Sequence, residues 1–307
     1  MRYKKMQIIT RLDELNINEK TAIAMGKFDG IHLGHKKLLD MILEQKKNGL
    51  KATVFTFEPS PEEFFVGHTV RQLFTRNEKR RAFEKMGIDI LVEFPLTENT
   101  AATPPEDFVR NILVDDLKAK YIAAGTDVSF GDKGSGNQFL LKNLSKELGF
   151  DLWLIDKVMM DGEEVSSTRV RNVVSDGDMD MVRRLLGYDY SISGIVEHGR
   201  HIGHTIGVPT VNILPPDNKL LPPFGVYSSL VVIDGCEYKG MTNIGRKPTI
   251  SEHEKVGVET YIYDFDEDVY GKTIEVKLKD FLRPEMKFDS IDQLKAQIES
   301  DLKLAAK

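Results

Sequence analysis

One cysteine, Cys236, stands in 307 residues. A single thiol excludes an intrachain disulfide framework and suits a reducing cytoplasm. Positive charge is in deficit: 42 Lys and Arg against 48 Asp and Glu leave a formal charge of −6, which argues against broad nucleic-acid binding. Long apolar runs are missing, so no membrane span is expected. The basic residues of Met1–Met6 have no apolar stretch behind them, so no secretory leader is expected either. Repeats and low-complexity segments are absent. So are three familiar motifs. There is no G-x-x-x-x-G-K-[ST] phosphate loop, and no H-E-x-x-H zinc helix. Gly134-Ser135-Gly136-Asn137-Gln138-Phe139 lacks the last glycine of a dinucleotide fingerprint. A nucleotide site in this chain therefore needs another device.

What is present is two halves with different patterning, in a chain long enough for two domains. Up to residue 186, apolar strand-like runs alternate with helix-like segments, the signature of an α/β parallel sheet. The strand candidates are Thr21–Met25, Ala52–Phe57, Ile88–Phe94, Tyr121–Gly125 and Leu152–Ile155, near-continuously apolar as buried parallel strands are. Helices are expected over 36–47, 79–86 and 108–118, the last two behind capping boxes at Thr75–Glu78 and Thr103–Glu106. After a helix at Met179–Leu186 ended by Gly187, the chain turns to short alternating runs rich in Val, Ile, Thr, Gly and Pro. This half reads as an antiparallel barrel or sandwich, with a hairpin turn at Asp234-Gly235 and a closing helix capped by Ser290. The expected domains are 1–186 and 187–307.

The densest signal follows the first strand: Gly26-Lys27-Phe28-Asp29-Gly30-Ile31-His32-Leu33-Gly34-His35. Where a strand turns into a helix, backbone N–H groups and the helix dipole favour a phosphate, and imidazole N–H groups add short, stiff donors. Further along, Gly125–Gly131 reads as a turn carrying Asp127. Ser166-Ser167-Thr168-Arg169-Val170-Arg171 reads as a helix N-terminus with hydroxyls and a cation one turn later. It could be an anion seat or a plain cap. In the second half, Gly199–Asn212 contains Gly203, Gly207 and Pro209-Thr210-Val211-Asn212. Thr210 and Asn212 alternate onto one strand face, so both could meet one Mg²⁺. Glu259 lies in the strand-like run Val256–Tyr261, where a solvent-facing position is the default for a glutamate.

Together these segments resemble the bacterial bifunctional riboflavin kinase/FMN adenylyltransferases, the FAD synthetases, from about Ala22 to Asp301. The resemblance implies an N-terminal Rossmann-like nucleotidylyltransferase domain. It also implies a C-terminal antiparallel β-barrel riboflavin kinase domain with a C-terminal helix. It implies phosphorylation of riboflavin to FMN by ATP, then adenylyl transfer from ATP to FMN, giving FAD and pyrophosphate. The first site would use His32, His35 and Arg171, with Gly26, Phe28, Asp29, Gly30, Gly34, Asp127, Ser167 and Thr168 around the nucleotide. The second would use Glu259 as catalytic base and Gly203, Gly207 and Pro209 at the phosphates. Thr210 and Asn212 would hold the metal, and Arg283 would lie near the flavin. Mg²⁺ accompanies ATP in both; riboflavin, FMN, FAD, ATP and ADP are the expected small-molecule partners, with no nucleic acid and no membrane. The chain departs from the common pattern at Ser60, Val128, His204, Val208 and Tyr261, none of them a residue given a chemical role. The rival readings are one surviving activity, a pantetheine-phosphate-type enzyme that leaves the second half without a role, or a non-catalytic flavin-binding regulator.

Overall fold

The structure, a computed structural model, describes residues 5–198, 208–247 and 255–306. Its contacts divide the chain into two compact units, Met1–Val70 with Arg76–Ser166, and Arg71–Thr75 with Ser167–Lys307.

The first unit is built on six parallel strands: β1 (Gln7–Ile9), β2 (Thr21–Met25), β3 (Lys51–Glu58), β4 (Ile90–Pro95), β5 (Ala119–Gly125) and β6 (Asp151–Ile155). Their order is β1-β4-β3-β2-β5-β6. All five residues of β2 are buried, as the centre of a sheet covered on both faces requires. The five strands expected from the sequence are all present. β1 escaped because three residues, with Gln7 and Ile8 exposed, carry no readable period. The chain runs from β2 to β3 on one side and returns to place β5 on the other, which makes the carboxyl end of β2 a topological switch point. The Gly26–His35 loop leaves β2 there, and Gly125 ends β5 beside it.

Helix α1 (Leu33–Glu44) starts three residues before the expected Lys36, because His32 is its N-cap. α2 (Pro61–Val66) is opened by a capping box of Ser60 and Glu63, so Ser60 has a local structural role. α3 (Arg76–Met86) and α4 (Glu98–Ala101) follow. The expected Thr103 capping box does not form. Pro104 takes the N-cap position of α5 (Pro105–Asp107), one residue late for Thr103 and Glu106 to pair, and the chain continues as a π-helix over Phe108–Asp116. α6 (Gln138–Leu148) and a small ribbon, β7 (Met159–Met160) with β8 (Glu163–Glu164), complete the unit.

In the second unit, α7 (Ser167–Asp176) and α8 (Met179–Leu186) precede the barrel, and α8 ends at Gly187 with φ 81°. The left-handed cap is what a glycine permits at low cost. Six strands, β9 (Ser191–Glu197), β10 (Val211–Ile213), β11 (Gly225–Ile233), β12 (Cys236–Lys247), β13 (Lys255–Ile262) and β14 (Thr273–Pro284), close in the order β10-β13-β12-β11-β14-β9. All pairings are antiparallel, and the pairing of β10 with β9 closes the sheet on itself, which settles barrel over sandwich. The hairpin at Asp234-Gly235 has φ 49° and 88° at its two central residues, the backbone of a type I′ turn. The last helix, α9 (Ile291–Ala305), is capped by Ser290, which accepts from the Gln293 N–H, and lays Ile298, Leu302 and Ala305 on Val226 and Met241.

The barrel also holds a piece of chain from far upstream. Gln72 N–H donates to the Asn218 carbonyl at 2.7 Å, and Leu220 N–H donates back to the Gln72 carbonyl at 2.8 Å. The Lys219 ammonium donates to the Leu73 carbonyl at 2.7 Å and sits 4.4 Å from the centre of the Tyr190 ring. Leu73 is wholly buried. Leu73→Ala, a change within residues 1–186, is therefore expected to destabilise the barrel unit, by about 2–5 kcal/mol for a buried Leu truncation. Thermal unfolding followed through the barrel's own signal checks it; an unchanged barrel transition would contradict it.

Candidate active sites

At the end of β2 the loop is set by backbone geometry. Phe28 has φ 50° and Gly30 φ 77°. The buried Phe28 ring packs 5.1 Å from His35 and edge-on to Phe83 at 5.7 Å. His32 Nδ1 accepts from the His35 backbone N–H at 3.4 Å, which caps α1 and leaves the proton on Nε2. The two imidazoles stack, centroids 3.7 Å apart. Gly34 suits the close fit there, since a Cβ would lie 3.1 Å from the His32 ring and press on it.

Burial pushes His32 down to about 4, against the opposing pull of Asp29 and Glu164. Burial also drives His35 well below its ordinary value, with His32 and Lys79 acting in the same sense. Both shifts favour the neutral rings, whose N–H groups remain hydrogen-bond donors. This has a stability consequence. A histidine depressed in the folded state leaves stability intact above pH 6.5; stability falls as pH drops from there toward the folded value, because the unfolded chain takes up the proton first. Between pH 6.5 and 5, His32 alone is expected to cost the first unit about 2 kcal/mol. Urea titrations at the two pH values measure it, and His32→Asn should remove that part of the slope.

Asp127 lies in the turn after β5, where Val128 N–H donates to the Gly125 carbonyl at 3.1 Å. Its carboxylate lies 3.6 Å from the Lys157 ammonium. Ser167 and Thr168 open α7 and Arg171 follows one turn on, all three in the second compact unit. The loop has one further cation that sequence reasoning passed over. Lys79 of α3 is buried and donates to the Lys27 carbonyl at 3.2 Å, which also accepts from the Thr56 hydroxyl at 3.3 Å. Its only sequence signal was its place in an amphipathic helix.

In the barrel, register assembles the second site. Asn212 of β10 stands directly opposite Glu259 of β13, and Glu259 stands opposite Asn243 of β12. Cross-strand partners share a face, so one carboxylate is flanked by two amides. Asn212 is buried, and its amide nitrogen lies 3.5 Å from the Thr210 carbonyl as donor. Thr210 and the exposed Pro209 lead into β10. Gly203 and Gly207 lie outside the described residues. Asn243 was missed, since Gly240-Met241-Thr242-Asn243-Ile244-Gly245 has no apolar run against which an amide stands out. Arg283 is tied to buried Asp301 of α9: Nε donates at 2.9 Å and one terminal nitrogen at 2.6 Å, while the other donates to the Pro284 carbonyl at 2.9 Å. Its N–H groups thus brace β14 against α9.

A parallel sheet with a histidine pair at its switch point is the arrangement of a nucleotidylyltransferase-type unit, and the closed barrel with an amide-flanked glutamate is a unit of a different class. The FAD synthetase family model matches residues 14–169, and the riboflavin kinase family model matches residues 186–307. The chain is 34% identical over 298 residues to the bifunctional riboflavin kinase/FMN adenylyltransferase of Listeria monocytogenes, covering 95% of this chain and 93% of that one. It is 35% identical over 286 residues to the protein of that name from Escherichia coli K12, covering 92% and 91%. A crystal structure titled as a macrolide-efflux protein from Streptococcus pneumoniae superposes with a TM-score of 0.86 at 29% identity, over 98% of this chain and 99% of that one. Among the described residues no helix is long and apolar enough to cross a membrane. The chain belongs to the bifunctional riboflavin kinase/FMN adenylyltransferase family, with both of its catalytic regions present.

Proposed function

We propose that the two units run consecutive steps of FAD formation. In the barrel, Glu259 takes the proton from the terminal ribityl hydroxyl of riboflavin as that oxygen attacks the γ-phosphorus of ATP; ADP leaves and FMN is formed. An alcohol is a poor nucleophile until it loses its proton, so this step needs the base. In the α/β unit, the terminal phosphate of FMN attacks the α-phosphorus of a second ATP and pyrophosphate leaves. That nucleophile is already ionised, so alignment and charge stabilisation suffice. His32 and His35 act there as neutral donors at the α1 N-terminus, Gly26, Phe28, Asp29, Gly30 and Gly34 shape the loop, and Asp127 lies at the nucleotide. The resemblance assigns Ser167, Thr168 and Arg171 to the same step, as donors and a cation.

The observation that carries the reading is the register that sets Asn212 and Glu259 side by side, independent of the histidine loop in the other unit. Magnesium is the metal that suits the barrel donors, which are uncharged oxygens of Thr210 and Asn212 beside one carboxylate. Among the described residues there is no cluster of His, Cys, Asp and Glu that would make an all-protein cage. Such a site, completed by substrate phosphates, is the magnesium habit. When bound, Mg²⁺ neutralises phosphate charge. The resemblance assigns Gly203, Gly207 and Pro209 to the phosphates, and Arg283 offers the flavin the flat face of a guanidinium already held in place. Residues 1–186 and 187–307 are the proposed functional divisions. The exposed single thiol of Cys236 suits a reducing cytoplasm.

Incubating the full chain with riboflavin, ATP and Mg²⁺ and separating the flavins is expected to show FMN and then FAD. FMN without FAD would reduce the chain to one activity; neither product would refute the proposal and favour a flavin-binding regulator.

A further inference from the structure

Neutral histidines leave a problem at the first site. Adenylyl transfer gathers negative charge around the α-phosphorus, and the imidazoles supply hydrogen bonds without positive charge. The loop has a fixed cation beneath it. α3 places Lys79 and Phe83 one turn apart, on one side of the helix. Phe83 packs edge-on to Phe28, while Lys79 reaches the carbonyl of the preceding residue, Lys27. Lys79 is only 8% exposed. Among the described residues its one hydrogen bond is to that carbonyl, and it makes no ion pair. An ammonium has three donors, so two remain for other groups. Burying a charge this lightly engaged is costly, and a purely structural anchor would be served as well by a neutral donor.

We propose that Lys79 is the charge-supplying residue of the adenylyl-transfer site, holding a positive centre under the histidine loop for the substrate phosphates. The groups around it agree with that. Burial lowers the Lys79 ammonium from its ordinary value, and Asp29 on the loop, Glu58 on β3, Glu93 on β4 and Glu63 on α2 oppose that shift. Glu93 is already engaged by Arg76 and Arg80, each within 2.8 Å, so it is not available as a close partner of the ammonium. Lys79 also acts on His35 in the sense that keeps the ring neutral, so charge and hydrogen-bond donation are assigned to different side chains. This inference rests on the adenylyl-transfer reading of the site.

The test uses the full chain with Lys79→Gln and Lys79→Arg. Glutamine keeps an N–H donor for the Lys27 carbonyl and drops the charge; arginine keeps the charge. FAD formation from FMN, ATP and Mg²⁺ is measured as kcat and KM, with riboflavin phosphorylation and thermal unfolding in the same preparations. The expected result is a kcat for Lys79→Gln lower by about a hundredfold, as for loss of one preorganised stabilising group, with riboflavin phosphorylation unchanged. Lys79→Arg should retain FAD formation within about tenfold of wild type, a smaller loss than removing a stabilising group. Full activity in Lys79→Gln overturns the proposal, and so does equal loss in both variants with lowered unfolding temperature, which marks a structural anchor. If the glutamine variant fails to fold, Lys79→Arg decides: retained activity supports the proposal and loss overturns it. A wild-type chain that makes FMN but no FAD overturns the underlying reading as well, whereas an active wild type with an active Lys79→Gln overturns this inference alone.

Discussion

His32→Ala is expected to lower FAD formation from FMN by about a hundredfold or more, the usual cost of removing one preorganised donor, while riboflavin phosphorylation continues at the wild-type rate. Two functions of the ring are lost together. Its Nδ1 caps α1 through the His35 N–H, and its Nε2–H is the donor left for a phosphate. Loss of the cap costs about 0.5–2 kcal/mol, which a stable domain tolerates. His32→Asn separates the two: asparagine is a strong N-cap, so the helix should be retained while the donor at the Nε2 position is gone. If His32→Asn restores stability and leaves FAD formation low, donation is the catalytic contribution. If it restores activity too, His32 is a capping residue. Equal loss of both activities in a folded alanine variant would contradict separate sites, since Glu259 lies in the other compact unit.

The opposite pattern is expected for Glu259→Gln. FMN formation should fall by about a hundred- to ten-thousandfold, the usual worth of a general base, while adenylylation of supplied FMN is unaffected. The substitution keeps size and one carbonyl oxygen, so the row formed with Asn212 and Asn243 should remain intact. Binding of riboflavin is therefore expected to persist, measurable by quenching of flavin fluorescence. Two rates in one preparation decide the matter: FMN from riboflavin and FAD from FMN. A Gln variant that phosphorylates riboflavin at near wild-type rate would make Glu259 a strand residue and send the search for the base elsewhere.

Much of this molecule was legible in order along the chain. β2 and the loop behind it, the Asp234-Gly235 hairpin and the Gly187 stop all stand where the residues themselves point. Each depends on neighbours a few positions away: an apolar run, a left-handed glycine, a turn dipeptide. The change from a parallel α/β pattern to an antiparallel one was likewise written in local periodicity. Local reading failed where two local signals competed, as when Pro104 displaced the Thr103 cap, or where the element was too short to have a period, as in β1.

Tertiary structure decided the rest, because it depends on which distant segments pack. Glu259 acquires Asn212 and Asn243 as neighbours only through barrel register. Arg71–Thr75 joins the barrel because Lys219 and Leu73 find each other. Arg283 has its N–H groups taken up because α9 brings Asp301 to it, in a place where a buried carboxylate must be paired. The residue types at the histidine loop suit a phosphate, but the downward shift of its imidazoles comes from burial, and burial belongs to the packed fold. The chain's own order determined which chemical groups are available; packing determined their charge and their company, because desolvation and cross-strand contact exist only after the chain has closed on itself.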